Sequence, residues 1–213
     1  VEENLMLHSY LKNKFFNGID SGIMVEVGSA GPEFLSQSKP FRDIGWRCIC
    51  IDPNPEFVKM HRDIGNEIYE YACSYEDKDD VNFEMVTQPI HGITYESFSS
   101  IEVSERLSLT GYSNGKKDLS INTIKVNVRK LNTILEEAKV SKVDYVIVDV
   151  EGWELNVMKG FTSSKYQPKV IVLENAFADT YQEFNTYMSN FGYEFDSFDD
   201  TTGPNLVYSN QNY

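Results

Sequence analysis

The sequence predicts an α/β fold, doubly wound on a mostly parallel sheet, and three observations carry the prediction. Short β-branched runs alternate with amphipathic stretches along most of the chain, as strand–helix–strand layering requires. The runs, Val143 to Val150 (VDYVIVDV) above all, are apolar enough to be covered on both faces. Several of them end in a glycine or an acid, at the carboxyl edge where such sheets hold their ligands.

The elements follow in order. Leu5 to Phe16 has apolar residues at helical spacing and is stopped by Asn17-Gly18. Ile23–Val27 is a strand ending at Gly28. Pro32 opens a helix running to Lys39, where Pro40 should end it. Arg47–Ile51 is a second strand, closed by Asp52-Pro53-Asn54-Pro55. Glu56 to Ile64 reads as a helix, Glu67 to Ser74 as a third strand, and Val81 to Thr87 alternates like another. Residues 88–120 lack periodicity and are rich in Ser and Gly; a stretch that long without structure is usually functional, and a substrate lid is expected there. The pattern resumes with a strand at Ile121 to Val128 and a helix at Leu131 to Lys139. Val143 to Val150 is expected to be the central strand. A helix ending at Lys159-Gly160 follows, then a strand at Pro168 to Leu173 and a helix at Thr180 to Phe191. Tyr193 to Phe198 and Leu206 to Tyr208 should form an antiparallel edge hairpin.

At 213 residues one domain spanning 1–213 is expected, since domains run to about 150 residues. The net charge of −14 repels phosphate backbones and anionic lipid, which argues against nucleic acid and membrane as partners. Cys48 and Cys50 lie two apart in a strand-like run, and Cys73 completes an odd set. Reduced, buried thiols in a cytoplasmic protein are the expectation. The first residues, VEENLM, lack a signal-peptide apolar core, and no apolar run is long enough to span a bilayer.

Two constellations carry chemistry. The first is Glu26-x-Gly28-x-x-Gly31, between a strand and a helix, with Asp52 at the end of the next strand. Glycines there allow a tight turn and close approach of backbone to ligand, and a carboxylate at Asp52 suits the two hydroxyls of a ribose. A dinucleotide fingerprint wants glycine where Glu26 stands, because an acid repels pyrophosphate. Glu26 instead favours a cationic ligand, so S-adenosylmethionine is preferred over NAD. The competing reading is an unliganded turn.

The second constellation is Asp149-Val150-Glu151-Gly152-Trp153-Glu154, with Glu174-Asn175 ending the neighbouring strand. Asp149 and Glu151 lie two apart in a segment read as extended, so both face one crevice. Converging acids are costly unless they bind something. The bland alternative is that Glu151 and Glu154 favour a helix N-terminus. Oxygen ligands from Asp149, Glu174 and Asn175 also suit a divalent metal, an arrangement that looks in part like the metal-dependent catechol-type O-methyltransferases.

A hydroxyl acceptor would need a base. His91, opening the irregular segment, is the histidine candidate, and Asp149 or Glu174 are the others. His61 is read as a surface residue and His8 as core-facing or capping the site. Tyr95, Phe98, Tyr112, Tyr181 and Phe184 suit sugar rings but equally suit ordinary packing. Lys116-Lys117 is a solvated tip or a contact for an anionic group such as a nucleotide-sugar diphosphate.

The run VDYVIVDVEGWELNVMKGF resembles the signature of FkbM-type methyltransferases: an apolar strand, Asp-x-Glu-Gly-x-Glu, and a helix ending Lys-Gly. IKVNVRKLNTILEEA, VEVGSAG and CIDPNPEF are similar to the family's lead-in, cofactor turn and ribose-acid stretch. The resemblance spans about residues 22–209. It implies a class I, Rossmann-like fold on a seven-stranded-type sheet and methyl transfer from S-adenosylmethionine to a hydroxyl, usually on a sugar or other natural product. The acceptor class so implied is a small sugar or polyol, free, in a nucleotide sugar or in a glycan. Carried over, Glu26, Gly28, Ser29 and Gly31 would line the methionine end, Asp52 with Pro53 beside it would hold the ribose, Ala72, Cys73 and Ser74 would border adenine, and Asp149 and Glu151 would lie near the sulfonium. Many members carry Asp and Ala-Asn where this chain has Glu26 and Ser29-Ala30. An NAD-linked oxidoreductase and a non-catalytic binding module are the competing functions.

Overall fold

A computed structural model describes residues 2–33, 36–86, 121–175, 181–197 and 205–213 of the chain. The strands are β1 (Ile23–Val27), β2 (Arg47–Ile51), β3 (Ile68–Tyr69), β4 (Ala72–Cys73), β5 (Lys78–Val86), β6 (Ile121–Arg129), β7 (Tyr145–Val148), β8 (Val170–Glu174), β9 (Tyr193–Ser197) and β10 (Asn205–Asn210). The helices are α1 (Glu2–Phe15), α2 (Lys39–Arg42), α3 (Pro55–Asp63), α4 (Leu131–Glu137), α5 (Glu154–Lys159), α6 (Ser163–Tyr166) and α7 (Tyr181–Asn190).

The principal sheet has seven strands in the order β3-β2-β1-β7-β8-β10-β9. The first five are parallel, and β10 and β9 complete it antiparallel. β7, drawn from VDYVIVDV, is its middle strand, as the apolar run predicts. The two-residue alternation of each strand builds two cores. Val25, Val27, Ile49, Ile51, Val146, Val148, Ile171 and Leu173 face one way, onto Leu131, Ile134 and Leu135 of α4, Val157 and Met158 of α5, and Phe184 and Met188 of α7. Met24, Cys48, Tyr145, Ile147, Val170 and Val172 face the other way, onto Leu7 and Leu11 of α1 with Phe16, Phe41 and Trp46. Both faces are therefore covered, which is why these strands are apolar at nearly every position, Glu26, Arg47 and Glu174 excepted.

Three sequence expectations are corrected. The described residues from Pro32 to Ser38 are not helical. Pro40 sits in the first turn of α2 instead of ending a helix, a position where its missing N–H costs nothing. The segment Glu67 to Ser74 is two strands: Tyr71 N–H donates to Tyr69 O at 3.0 Å, and that tight bend sends β3 to the principal sheet and β4 to a second, three-stranded sheet, β4-β6-β5. β5 begins at Lys78, earlier than its alternation suggests, because the register slips between Lys78 and Val81 and Asp80 adopts φ +57°, a bulge that scrambles the two-residue repeat. Among the described residues no helix is long and apolar enough to cross a membrane.

Candidate functional site

Register alone assembles the site. Val27 pairs with Ile51 on β2 and with Val148 on β7, and Val148 pairs with Leu173 on β8. The paired positions are thus level, and the residue after each, Gly28, Asp52, Asp149 and Glu174 (the last the final residue of β8), stands in one row. By alternation that row belongs to the α1 face of the sheet. The sequence reading placed Gly28 with Asp52 in one constellation and Asp149 with Glu174 in another; the register brings the two together.

The glycine turn is held from behind. Gly28 and Ser29 N–H both donate to Ile51 O, at 2.9 and 3.2 Å. Gly28 has φ +81°, and a Cβ on it would meet Asp149 O at 1.8 Å. Glu26 is buried beneath the turn, where its Oε1 accepts from Gln37 N–H at 2.6 Å. Burial raises its pKa to about 7 against the pull of Ser38, Gln37 and Arg42. Ala30 adopts φ +45°. Its N–H donates to Asp52 Oδ2 at 2.9 Å, while Asp52 Oδ1 accepts from Asn54 N–H at 2.8 Å. Burial raises Asp52 to about 6, offset in part by those two backbone donors. A carboxylate offers about four acceptor sites, so two remain. Ser29 Oγ is buried without a hydrogen-bond partner, and a Cβ on Gly31 would meet nothing closer than Met60 Sδ at 3.9 Å. The turn thus offers an orphan hydroxyl and open space over a glycine, both of which fit a ligand lying across it. Pro53 is half-buried between Asp52 and the Asn54 cap of α3.

The acidic loop is a turn, where the sequence reading has extended chain. After β7, Glu151 adopts φ +55° and Gly152 φ +90°, and Asp149, Glu151 and Glu174 each place a carboxylate oxygen within 4.8 Å of the others. Burial, and for Glu174 the surrounding acids, push both Asp149 and Glu174 above the ordinary carboxylate range, and the two share a hydrogen bond. Its Oε2 is buried and unpartnered. Glu154 has a distinct task. Its Oε1 accepts from Val150 N–H at 3.1 Å and Gly152 N–H at 2.8 Å, clasping the loop, and burial raises it to about 7.

Ala72, Cys73 and Ser74 are buried at β4, which pairs with β6. Ser74 Oγ accepts from Trp153 Nε1–H at 3.0 Å, and a Cβ on Gly160 would meet Ser74 O at 2.2 Å. Both ends of α5 are thereby seated on the end of β4. The thiols of Cys48 and Cys50 are buried; Cys48 is raised to about 12 and Cys50 further, first by burial and then by Glu26. His61, read from sequence as a surface residue, is fully buried. The available signal was its spacing of three from buried Val58 on α3. His8 packs edge-on against Phe41 at 5.0 Å. Phe184 is core, and Tyr181 packs edge-on against Phe195 at 5.4 Å. His91, Tyr95, Phe98, Tyr112 and Lys116-Lys117, with the whole of 88–120, lie outside the described residues.

Comparison with solved structures finds a precorrin-6y C5,15-methyltransferase from Geobacter metallireducens, at 10% identity and TM-score 0.45, covering 98% of this chain and 87% of that one. A proposed S-adenosyl-L-methionine-dependent methyltransferase from Methanococcus maripaludis gives 12% identity and TM-score 0.45, covering 98% and 85%. Among curated proteins none matches. The deciding comparison is with protein families, where the methyltransferase FkbM domain matches residues 26–195, from the acid of the glycine turn to β9. That span takes in both constellations and most of the chain: this protein belongs to the FkbM family and is an S-adenosylmethionine-dependent methyltransferase of class I fold.

Proposed function

We propose that the chain methylates a hydroxyl of a small polyhydroxylated acceptor, a sugar or polyol, free or carried in a nucleotide sugar or glycan. The observation that carries the reading is the convergence of the Asp149 and Glu174 carboxyl groups, in hydrogen-bond contact at the carboxyl ends of the neighbouring strands β7 and β8, with burial raising both pKa values so that a proton is shared between them. Hydroxyls are weak nucleophiles, and a positioned base contributes about 10²–10⁴-fold. Carboxylates at a rim also accept hydrogen bonds from neighbouring hydroxyls, which suits a polyol.

In this reading the donor lies across the glycine turn. Gly28 and Gly31 let the backbone approach it, and Ser29 Oγ gains its missing partner. Asp52, beside Pro53, gives its two remaining acceptor sites to the ribose. Ala72, Cys73 and Ser74 border the adenine. Glu26 supplies negative potential from beneath the turn, and Glu151 supplies it from the acidic loop. Bound there, S-adenosylmethionine supplies an electrophilic methyl on a sulfonium. The chain aligns the acceptor oxygen with it, an advantage of ~7–11 kcal/mol, and Asp149 takes the hydroxyl proton. His91 is the competing acceptor of that proton. A second reading rests on the three converging carboxylate oxygens: Asp149, Glu151 and Glu174 would hold a hard divalent cation, which would lower the hydroxyl pKa.

Gly31→Ala tests the placement of the donor. The site for its Cβ is open, so the unfolding midpoint should stay within about 1 kcal/mol of wild type. Affinity for S-adenosylhomocysteine in calorimetry should fall at least ~tenfold, because a methyl would occupy the ligand's path. Unchanged affinity would move the donor off this turn.

The function itself is tested by titrating S-adenosylhomocysteine against NADH, then following radiolabelled methyl into a panel of sugars, polyols and nucleotide sugars. Binding of the first ligand and label in a hydroxylated acceptor are expected. Preference for NADH would restore the oxidoreductase reading, and binding without transfer to any acceptor would favour the non-catalytic module. Transfer lost on chelation and regained with magnesium selects the cation; transfer undiminished by chelation selects the shared proton.

A further inference from the structure

Ala30 is a non-glycine residue in left-handed conformation, φ +45°, in the middle of the glycine turn. Such a conformation is strained for an L side chain and persists only where its surroundings over-determine it. Its N–H is held by Asp52 Oδ2 at 2.9 Å. Its carbonyl is held by His61 Nε2 at 3.0 Å. His61 lies two turns into α3 with no exposed surface, a position where the rest of the helix offers Glu56, Lys59, Met60 and Arg62 to solvent.

The proton positions follow from the partners. A carbonyl only accepts, so Nε2 of His61 carries the hydrogen. Nδ1 then accepts, and Asn66 Nδ2–H donates to it at 3.1 Å. Asn66 is itself fastened, its N–H donating to His61 O at 3.0 Å. The ring therefore has one tautomer and one orientation. α3 is joined to the cofactor turn at two points: at its cap, through Asp52 and Asn54, and at its second turn, through His61. Val58, the other buried residue of α3, packs but bonds nothing in the turn.

We infer that His61 is a positioning residue for donor binding: oriented by Asn66, it fixes the Ala30 carbonyl and so presets the backbone of the turn before S-adenosylmethionine arrives. The inference rests on the donor site proposed above. It separates two roles on one turn, since Asp52 holds the turn and also faces the ligand, whereas His61 acts only through the turn's backbone, at Ala30 and the adjoining Ser29. Preset geometry raises affinity by removing the ordering cost from the binding step.

The test is calorimetric titration with S-adenosylhomocysteine on wild type, His61→Leu, His61→Gln and Asn66→Ala, with the ¹⁵N resonances of the histidine rings recorded alongside. His61→Leu should weaken binding at least ~tenfold. His61→Gln, whose Nε2 still donates to Ala30, should stay within about threefold, and Asn66→Ala should fall between. The wild-type His61 ring should show the neutral Nε2–H form at pH 7. A His61→Leu variant that folds and binds like wild type overturns the inference, as does an equal loss in the Leu and Gln variants. Should His61→Leu fail to fold, Asn66→Ala decides, and wild-type affinity there is the overturning result. A wild-type chain that ignores S-adenosylhomocysteine sinks the donor site and this inference with it; a wild type that binds while the Leu variant is unaffected sinks the inference alone.

Discussion

Gly28→Ala is expected to cost at least ~3 kcal/mol of stability, its added Cβ making a closer contact than one at Gly31 or Gly160 would. Two causes add. The residue holds φ +81°, which an L side chain adopts only under strain, and the new Cβ would lie 1.8 Å from the carbonyl oxygen of Asp149. That oxygen is backbone, so no rotamer change relieves the overlap. β1 and β7 must part at their carboxyl ends, where Asp149 N–H donates to Val27 O at 3.0 Å. Urea unfolding reads the outcome directly. Gly31→Ala is the control in the same turn, where the conformation is ordinary and the space is free. A Gly28→Ala protein with a wild-type midpoint would show that the two strands do not meet as described.

The second large effect is on pH. Glu26 and Glu154 rise to about 7 and Asp52 to about 6, each chiefly by burial. A carboxyl whose pKa is raised on folding binds its proton more tightly in the native state. Its contribution is full below the unfolded value, about 4–4.5, and is lost as pH climbs to the folded one. Each group removes on the order of 3 kcal/mol across that window. Stability should therefore be greatest near pH 5 and fall by at least ~3 kcal/mol by pH 8, in the same sense as the self-repulsion of a −14 chain. Glu26→Gln separates the two causes. It keeps an oxygen for Gln37 N–H and changes one charge among many, so a markedly flatter profile identifies the buried carboxyl. Urea midpoints at four pH values for both proteins suffice. Stability that rises from pH 5 to pH 8 would contradict the burial of all three acids.

Much of this was legible beforehand, for identifiable reasons. β1 and β2 match their expected bounds because both are short, β-branched and closed by glycine or by Asp-Pro. The central place of β7 followed from its lack of any polar interruption before Asp149. What escaped the sequence were features set by non-local pairing. Nothing in Glu67 to Ser74 announces that its halves serve different sheets, since the partners of β4 and β3 lie in β6 and β2. The slip in β5 destroys the alternation by which strands are found. Pro40 fits both the start and the end of a helix by local rules, and only the surrounding fold makes it a start. The acidic site was half visible: its residues could be named, while their distances depended on a left-handed Glu151-Gly152 turn. His61 was misjudged because histidine is commonly exposed, and only its spacing from Val58 hinted otherwise.

The level row at the carboxyl ends of the four parallel strands also bears on how the sheet finds its pairing. Side chains repeat every two residues, so sliding β7 or β8 by one position would drive Asp149 or Glu174 into the oily layer beneath α4 and α5. A carboxylate stranded there has no partner and costs several kcal/mol. Misaligned sheets are thereby penalised by the acids at the carboxyl edge, and that row acts as a ratchet that lets the strands lock in one alignment only.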